Sequence, residues 1–249
     1  MPSNGNTMYG RALMDAVHQV VPAFGRIFIV LASGDAGEER YDRITEVCTP
    51  SQGQVRVFTS LSDAYDAVTS GNNDVILLDG DGTHTLTEML TVSKSRVNFV
   101  GMDAGLGLRK YGQGAKISLG ITTAATDIAA ILNTGVRNTF HNLKVISNNT
   151  VDEGLYSFVD GGEYTVMNGV EVYKSTALDV SGSAEFVCNA DSPLYTRCTF
   201  GSLADARSGS VIRANVLFTK GVAGSGLVAR DVTFEDCNFW LQCTNTAHR

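Results

Sequence analysis

The residues best suited to chemistry in this sequence are Asp79, Asp81 and His84, which lie in one short stretch. The segment Leu78-Asp79-Gly80-Asp81-Gly82 offers carboxylates and backbone carbonyls, the ligands that a hard cation such as calcium prefers. It lacks the further acidic positions of a calcium loop. The alternative is a tight turn, in which the Asp side chains bond their own backbone and Gly supplies positive φ. The residue types favour the turn, so we predict no metal site.

A second acidic group consists of Asp152, Glu153 and Asp160, and we interpret these residues as solvated corners. The histidines are scattered along the chain at His18, His84, His141 and His248. No nucleophile elbow, phosphate loop or metalloprotease motif is present. The sequence therefore predicts no catalytic residue, no metal site and no cofactor.

The cysteines are an odd set of five, located at Cys48, Cys188, Cys198, Cys237 and Cys243. An odd number without a secretory leader favours free, buried thiols over a disulfide framework. The sequence contains no CxxC pair that would indicate a zinc site. We predict that these side chains pack as small apolar groups.

Composition limits the classes of protein to which this chain can belong. The 249 residues include 26 Gly and only 4 Pro, 43% are hydrophobic and 18% are charged, which is typical of an all-β protein with many turns. The net charge of −7 and the lack of a basic cluster argue against nonspecific nucleic-acid binding. We expect no signal peptide, and the apolar run Ile27–Ala32 is too short to cross a bilayer.

The elements that must position these residues begin with a short helix. Ser60 is suited to be its N-cap, and Leu61, Ala64, Tyr65 and Val68 recur at helical spacing. Short strands are then predicted at Val75–Leu78, Thr83–Leu86, Leu90–Val92 and Arg96–Val100, after earlier strands at Ile27–Ala32 and Val55–Phe58. Three short strands with tight corners and no helix between them are what one coil of a parallel β-solenoid requires.

A repeat supports the solenoid. Four segments place an alternating apolar–polar–apolar triplet after a polar or small residue: Phe140–Val145, Val166–Val172, Tyr195–Phe200 and Phe234–Phe239. The spacings are 27 residues from Leu143 to Val170, 28 from there to Cys198 and 39 from there to Cys237, so the last interval requires an inserted loop.

Stacked coils should align equivalent side chains about 4.8 Å apart. We predict an inward row of Leu143, Val170, Cys198 and Cys237, and beside it a row of Val145, Val172, Phe200 and Phe239. Asn142 and Asn168 should take bends and bond their counterparts in the next coil. Adjacent coils would also bring Cys198 and Cys237 near disulfide range.

The stretch Asp74–Leu86 (DVILLDGDGTHTL), followed by Val97-Asn98-Phe99-Val100-Gly101, resembles the entry into a right-handed β-helix of the pectin-lyase-like type. The resemblance implies an all-β fold: a right-handed parallel β-helix with a capping helix over residues 59–249, preceded by a small α+β segment and arm over residues 1–58. It is specific for architecture and carries little information about activity.

The run Asn6–Val17 (NTMYGRALMDAV), followed by Phe24–Val30, resembles the opening of tailed-phage structural proteins of β-helix type. That resemblance implies a non-enzymatic virion protein that decorates or cements the capsid and binds the major capsid protein or other virion proteins. The alternative is a tailspike-type protein that binds or cleaves glycans. Paired carboxylates on one solvent face would favour the alternative.

We also predict contacts to partners. An oligomer would cover the ends of a short solenoid, and the resemblance to phage proteins implies a trimer on the capsid surface, with no nucleic acid and no membrane. The partner-binding candidates are Tyr9, Arg11 and Leu13 in the arm, Arg109, Lys110 and Tyr111 in a Gly-rich excursion, and Trp240 in the last coil.

Overall fold

The computed structural model describes residues 25–32, 56–80, 82–102, 114–120, 128–148, 155–174, 183–202, 213–218 and 229–240. Within them the chain forms nineteen short strands and one helix, α1, at Leu61–Ala67. The strands are β1 Ile27–Val30, β2 Val57–Phe58, β3 Val75–Leu78, β4 Thr83–Leu86, β5 Leu90–Val92, β6 Asn98–Gly101, β7 Ala115–Leu119, β8 Ile131–Asn133, β9 Thr139–His141, β10 Leu143–Ser147, β11 Tyr156–Asp160, β12 Val166–Asn168, β13 Glu171–Lys174, β14 Ser183–Cys188, β15 Leu194–Thr196, β16 Thr199–Phe200, β17 Arg213–Phe218, β18 Thr233–Glu235 and β19 Asn238–Phe239.

The strands form three parallel sheets that wind around one core, which is the predicted right-handed parallel β-helix. Sheet A has the order β18-β15-β12-β9-β6-β3-β1-β2, sheet B the order β19-β16-β13-β10-β7-β4, and sheet C the order β17-β14-β11-β8-β5. Each coil contributes one strand to each sheet in turn. Every pairing between these strands is parallel, as a solenoid without hairpins requires.

The register confirms the predicted inward rows. Val145 pairs with Val172, Val172 with Phe200, and Phe200 with Phe239. The preceding row, from Leu143 through Val170 and Cys198, is buried in the main core, with Cys237 packed against it. The 27- and 28-residue spacings read from the sequence are therefore single coils.

Helix α1 begins where the sequence predicts. The Ser60 hydroxyl accepts a hydrogen bond from the Asp63 backbone amide at 3.3 Å, and Leu61, Ala64 and Tyr65 face inward. The helix contacts β1, β2 and β4, so it covers the first coil. That position satisfies the need of a terminal coil for a cap.

Strands β1 and β2 extend sheet A beyond the first coil. β1 pairs along its whole length with β3, and β2 pairs with β1. The predicted strand Ile27–Ala32 ends at Val30, and the one predicted to begin at Val55 begins at Val57. These strands of the 1–58 segment thus continue the solenoid sheet, while the boundary at residue 58 stays a prediction.

Two lines of corners allow the tight bends. The first precedes sheet A and places Arg96, Arg137, Tyr164, Ser192 and Asp231 at positive φ. The second follows sheet A and places Asn142, Gly169, Arg197 and Asp236 there. Asn142 takes its bend as predicted, and its amide donates to the Gly101 carbonyl of the preceding coil at 3.0 Å. The expectation for Asn168 needs correction: it ends β12, and the next residue, Gly169, takes the bend.

Within the described residues no helix is long and apolar enough to span a membrane.

Candidate functional site

The predicted Asp79–His84 turn lies at the start of the solenoid. Asp79 is 2% exposed, and its backbone oxygen accepts from the His84 ring nitrogen Nε2 at 2.8 Å. His84 is on the inward row with Ile117, because β4 and β7 pair at these residues. Asp81 falls outside the described residues. In the described part of the chain, no group of three or more His, Cys, Asp or Glu side chains could hold a metal ion.

Of the predicted partner-binding residues, the structure describes Trp240. Its side chain is 36% exposed, beside Phe239 at 51%, and Phe218 in the preceding coil is 54% exposed, so the last two described coils have an apolar surface. The other six candidates fall outside the described residues: Tyr9, Arg11, Leu13, Arg109, Lys110 and Tyr111.

The interpretation of Asp160 as a solvated corner is wrong. Asp160 is fully buried at the end of β11, paired with Asn133 in one neighbouring coil and Cys188 in the other. Its carboxylate oxygens accept from the Tyr195 hydroxyl at 2.7 Å and the Asn133 amide at 2.8 Å. They also accept from the Thr165 hydroxyl at 3.0 Å and the Gly162 amide at 3.1 Å.

Burial raises the pKa of Asp160, and the four donors oppose that rise only in part. The same network raises the pKa of Tyr195, chiefly by burial and then by the nearby Asp160 charge. No solvent reaches this carboxylate, so it cannot contact a substrate. Its hydrogen bonds instead hold the interior of three adjacent coils together.

The two described histidines lie apart, and His18 and His248 fall outside the described residues. His141 ends β9 on the outer side of sheet A, whereas His84 lies on the inward side of β4. Burial lowers the pKa of His141 to about 4, so its imidazole is neutral near neutral pH.

A charged ladder runs along the corner between sheets C and A. The backbone N–H of each bend residue donates a hydrogen bond to the carbonyl of the residue that precedes the bend in the next coil. Tyr164 donates to the Asp191 carbonyl at 2.8 Å, and Ser192 donates to the Arg230 carbonyl at 2.9 Å. We call this surface the charged corner. It comprises Arg96, Arg137, Glu163, Tyr164, Asp191, Ser192, Arg230 and Asp231.

Two groups of side chains on the charged corner are in contact. The Arg137 guanidinium lies 5.6 Å from the centre of the Tyr164 ring, and that ring is 50% exposed. Arg230 forms an ion pair with Asp191, which also accepts from the Ser192 hydroxyl at 3.1 Å. An exposed aromatic ring with a cation beside it offers both an apolar surface and a site for anions.

Glu163 and Asp191 form a pair of carboxylates on this corner. They are parallel bridge partners in adjacent coils, and the bridges continue to Val136 on one side and Arg230 on the other. Bridge partners stack about 4.8 Å apart and carry their side chains to the same side of the ladder. Glycoside hydrolysis uses two carboxyl groups on one face of a protein.

Sequence reasoning missed this pair because the repeat alignment began too late in the coil. Glu163 precedes the Val166–Val172 segment by three residues, and Asp191 precedes the Tyr195–Phe200 segment by four. If the aligned segments began four residues earlier, Glu163 and Asp191 would be aligned with each other as equivalent positions of adjacent coils.

The fold resembles that of several solved structures. It resembles pectin methylesterase from Aspergillus niger at 12% identity and a TM-score of 0.48, covering 88% of this chain and 67% of that one. Pectin methylesterase from Erwinia chrysanthemi is 16% identical, with a TM-score of 0.46, and the match covers 84% of this chain and 66% of that one. A pectate lyase is 16% identical, with a TM-score of 0.39, and the match covers 90% of this chain and 57% of that one. This chain therefore spans about two thirds or less of the length of each of these proteins. The sequence matches no protein-family model and no curated protein.

These comparisons correct one prediction. The sequence was interpreted as that of a protein without enzymatic activity, and that prediction is wrong, because the solved structures that share the fold are methylesterases and a lyase. The likeness itself shows the fold alone, which is a pectin-lyase-like β-helix.

Proposed function

We propose that this chain is a glycan-binding β-helix protein that takes an anionic polysaccharide along the charged corner and hydrolyses it. The observation that carries the proposal is the exposed Tyr164 ring, flanked by Arg137, on the coil that also presents Glu163. The ring can pack against a sugar face, and the guanidinium can bind a sugar carboxylate through two parallel hydrogen bonds.

Arg96 extends this surface by one coil. Its backbone N–H donates to the Val136 carbonyl at 2.9 Å, which places Arg96 directly beside Arg137 in the ladder. Both side chains are exposed, so two cations project from neighbouring coils on the side of Tyr164 away from Asp191. A chain of acidic sugars lying across the coils would meet these cations first and the two carboxylates next.

Hydrolysis assigns Glu163 and Asp191 the two acid–base roles. One carboxyl group protonates the departing glycosidic oxygen, and the other attacks the sugar or activates water. Asp191 is oriented by Arg230 and by the Ser192 hydroxyl, which suits a carboxylate that must keep its position during the reaction.

Calorimetric binding of oligogalacturonate, with its fully methyl-esterified form as the uncharged control, tests the binding half. We expect the charged form to bind, and Tyr164→Ala or Arg137→Gln to weaken it at least tenfold. Lys116→Gln, a partly exposed cation on sheet B, is the matched control and should bind like the unaltered protein. Equal binding by the Tyr164 and Lys116 variants would refute the charged corner as the site.

Release of reducing ends from the same polysaccharide tests the hydrolytic half. Glu163→Gln and Asp191→Asn should each lower the rate by a factor of about 100 or more, since a positioned acid or base contributes at least that much. Binding without release of reducing ends in the unaltered protein would eliminate hydrolysis and leave the binding function.

A second candidate function is that of a structural component of a tailed-phage virion, on the capsid surface. The observation that favours it is the apolar surface of Phe218, Phe239 and Trp240, which a major capsid protein or another virion protein could cover. Antibody detection of the chain in purified particles of a phage that encodes it is the test. Absence of the chain from intact particles would refute this role without bearing on glycan binding.

A further inference from the structure

Two cysteines lie next to each other in the last two described coils. The backbone ladder continues on both sides of them, with Arg197 N–H donating to the Glu235 carbonyl at 2.8 Å and Asn238 N–H donating to the Cys198 carbonyl at 2.8 Å. Cys198 and Cys237 are therefore adjacent positions of neighbouring parallel segments, about 4.8 Å apart. That separation is within the Cα–Cα range of disulfides.

The two thiols are close enough for each to shift the pKa of the other. Both are free in this structure. Cys198 is fully buried, whereas Cys237 is partly exposed and donates to the Tyr195 and Glu235 carbonyls at 3.3 and 3.4 Å. One thiol of the pair is thus accessible to a reagent, and the other is shielded behind it.

We propose that Cys198 and Cys237 are a redox modification site, which closes into a reversible disulfide and links the last two described coils. The expected reagent is a small-molecule disulfide such as oxidised glutathione.

The reactivities of the two thiols suit this order of events. The neighbouring Cys198 thiol, as a hydrogen-bond donor, lowers the pKa of Cys237 to about 7, although burial opposes the change, so much of Cys237 is thiolate near neutral pH. The same interaction, together with burial, raises the pKa of Cys198. Cys188 is buried in sheet C, and burial raises its pKa to about 11, which makes it an inert thiol within the same fold.

The reaction is a thiol–disulfide exchange in two steps. The Cys237 thiolate attacks one sulfur of oxidised glutathione, a mixed disulfide forms, and one glutathione thiolate leaves. Cys198 then loses its proton and attacks the Cys237 sulfur, which expels the second glutathione thiolate. Each protein thiol has lost one proton and one electron, and the reagent has gained two electrons as it becomes two thiols.

The test uses the full chain with Cys48→Ser and Cys243→Ser, so that only the described thiols remain. After oxidised glutathione, trypsin digestion and mass spectrometry, we expect a cross-linked pair of the peptides 198–207 and 231–249 that a reducing agent separates. Adding Cys188→Ala should leave the cross-link intact, and adding Cys237→Ser should abolish it.

A second readout reports the effect on the fold. Amide hydrogen exchange in β18 and β19 should slow at least tenfold on oxidation, and this change should be absent when Cys237→Ser is present. Recovery of both thiols in reduced form, or of Cys237 as a stable glutathione adduct, would overturn the proposal.

Discussion

Asp160 is an acid that this interior holds with hydrogen bonds instead of a counter-charge. Its four donors come from three coils, so the carboxylate fixes the relative positions of Asn133, Thr165 and Tyr195. A buried donor without an acceptor costs about 1–3 kcal/mol. Removing the acceptor would therefore be more damaging than changing its charge.

We predict that Asp160→Ala lowers the free energy of unfolding by about 3 kcal/mol or more, because it strands several buried donors. Asp160→Asn should cost much less, since its carbonyl can still accept from Asn133 and Thr165 while its amide donates to the Tyr195 hydroxyl. Urea denaturation of the two variants provides the comparison. Equal losses would show that the network does not depend on these acceptors.

Asp160 also predicts a dependence of stability on pH. Its pKa is raised in the fold from the ordinary value of 3.8, so as pH rises above about 4 the unfolded chain ionises while the folded one keeps its proton. Ionisation then favours unfolding, and this contribution to stability falls with rising pH until the folded pKa is reached. The unfolding free energy of the unaltered protein, minus that of Asp160→Asn, should accordingly decrease from pH 4 upward. A constant difference would contradict the raised pKa.

At the scale of elements, the alternation of inward and outward residues on each short strand makes the coil. Leu143 and Val145 of β10 point into the core and are fully buried. Lys144 points outward, 3.5 Å from the Glu171 carboxylate and 4.9 Å from the centre of the Tyr173 ring. Neighbouring residues of one strand should therefore differ greatly in their tolerance of substitution.

Leu143→Ala should destabilise the protein by about 2–5 kcal/mol through the cavity it leaves, and Leu143→Asp by more, because a charge would be buried without a partner. Lys144→Ala is the matched control, since a surface ion pair contributes at most about 1 kcal/mol. Thermal or urea unfolding followed by circular dichroism measures both. Similar losses at the two positions would mean that the inward row is misassigned.

The bends set a different requirement, which is positive φ. Gly169 has a φ of +66°, and an added Cβ there would meet no atom within 4 Å. The equivalent bends hold Asn142, Arg197 and Asp236 at similar φ, so the position demands backbone conformation and not smallness.

Gly169→Asn should be nearly neutral, whereas Gly169→Val should cost about 1–3 kcal/mol, because a β-branched residue is strained at positive φ. The difference between these variants in unfolding free energy is the measurement. A valine variant as stable as the asparagine variant would show that this bend can relax.

At the scale of the whole molecule, the two ends of the described solenoid differ. Helix α1 covers the first coil, while Phe218, Phe239 and Trp240 leave the last two described coils with exposed apolar side chains. Exposed apolar side chains at the end of a sheet favour association. A symmetric oligomer would cover it and would also prevent open-ended growth.

We predict that the protein is an oligomer at micromolar concentration, a trimer by its resemblance to phage proteins. Phe218→Ser with Phe239→Ser should shift it toward monomer, because these side chains are 54% and 51% exposed. Tyr164→Ser, at an equally exposed aromatic residue on the charged corner, is the control and should leave association unchanged. Sedimentation velocity distinguishes these cases, and an unaltered protein that is monomeric would contradict the prediction.

The sequence by itself determined the repeating architecture. The capping helix, strands such as Val75–Leu78 and the 27- and 28-residue coils could all be predicted, because hydrophobic periodicity and bend residues are local properties. The inward row at Leu143 and Val170 followed from the same pattern.

Tertiary structure alone decided which polar residues meet. The sequence alone predicts a surface acid at Asp160, because its buried partners Asn133 and Tyr195 lie 27 and 35 residues away. Glu163 and Asp191 became neighbours because one coil returns the chain to the same corner, 28 residues later. Such contacts depend on the register between coils, and a shift of one residue would turn each side chain to the opposite face of its sheet.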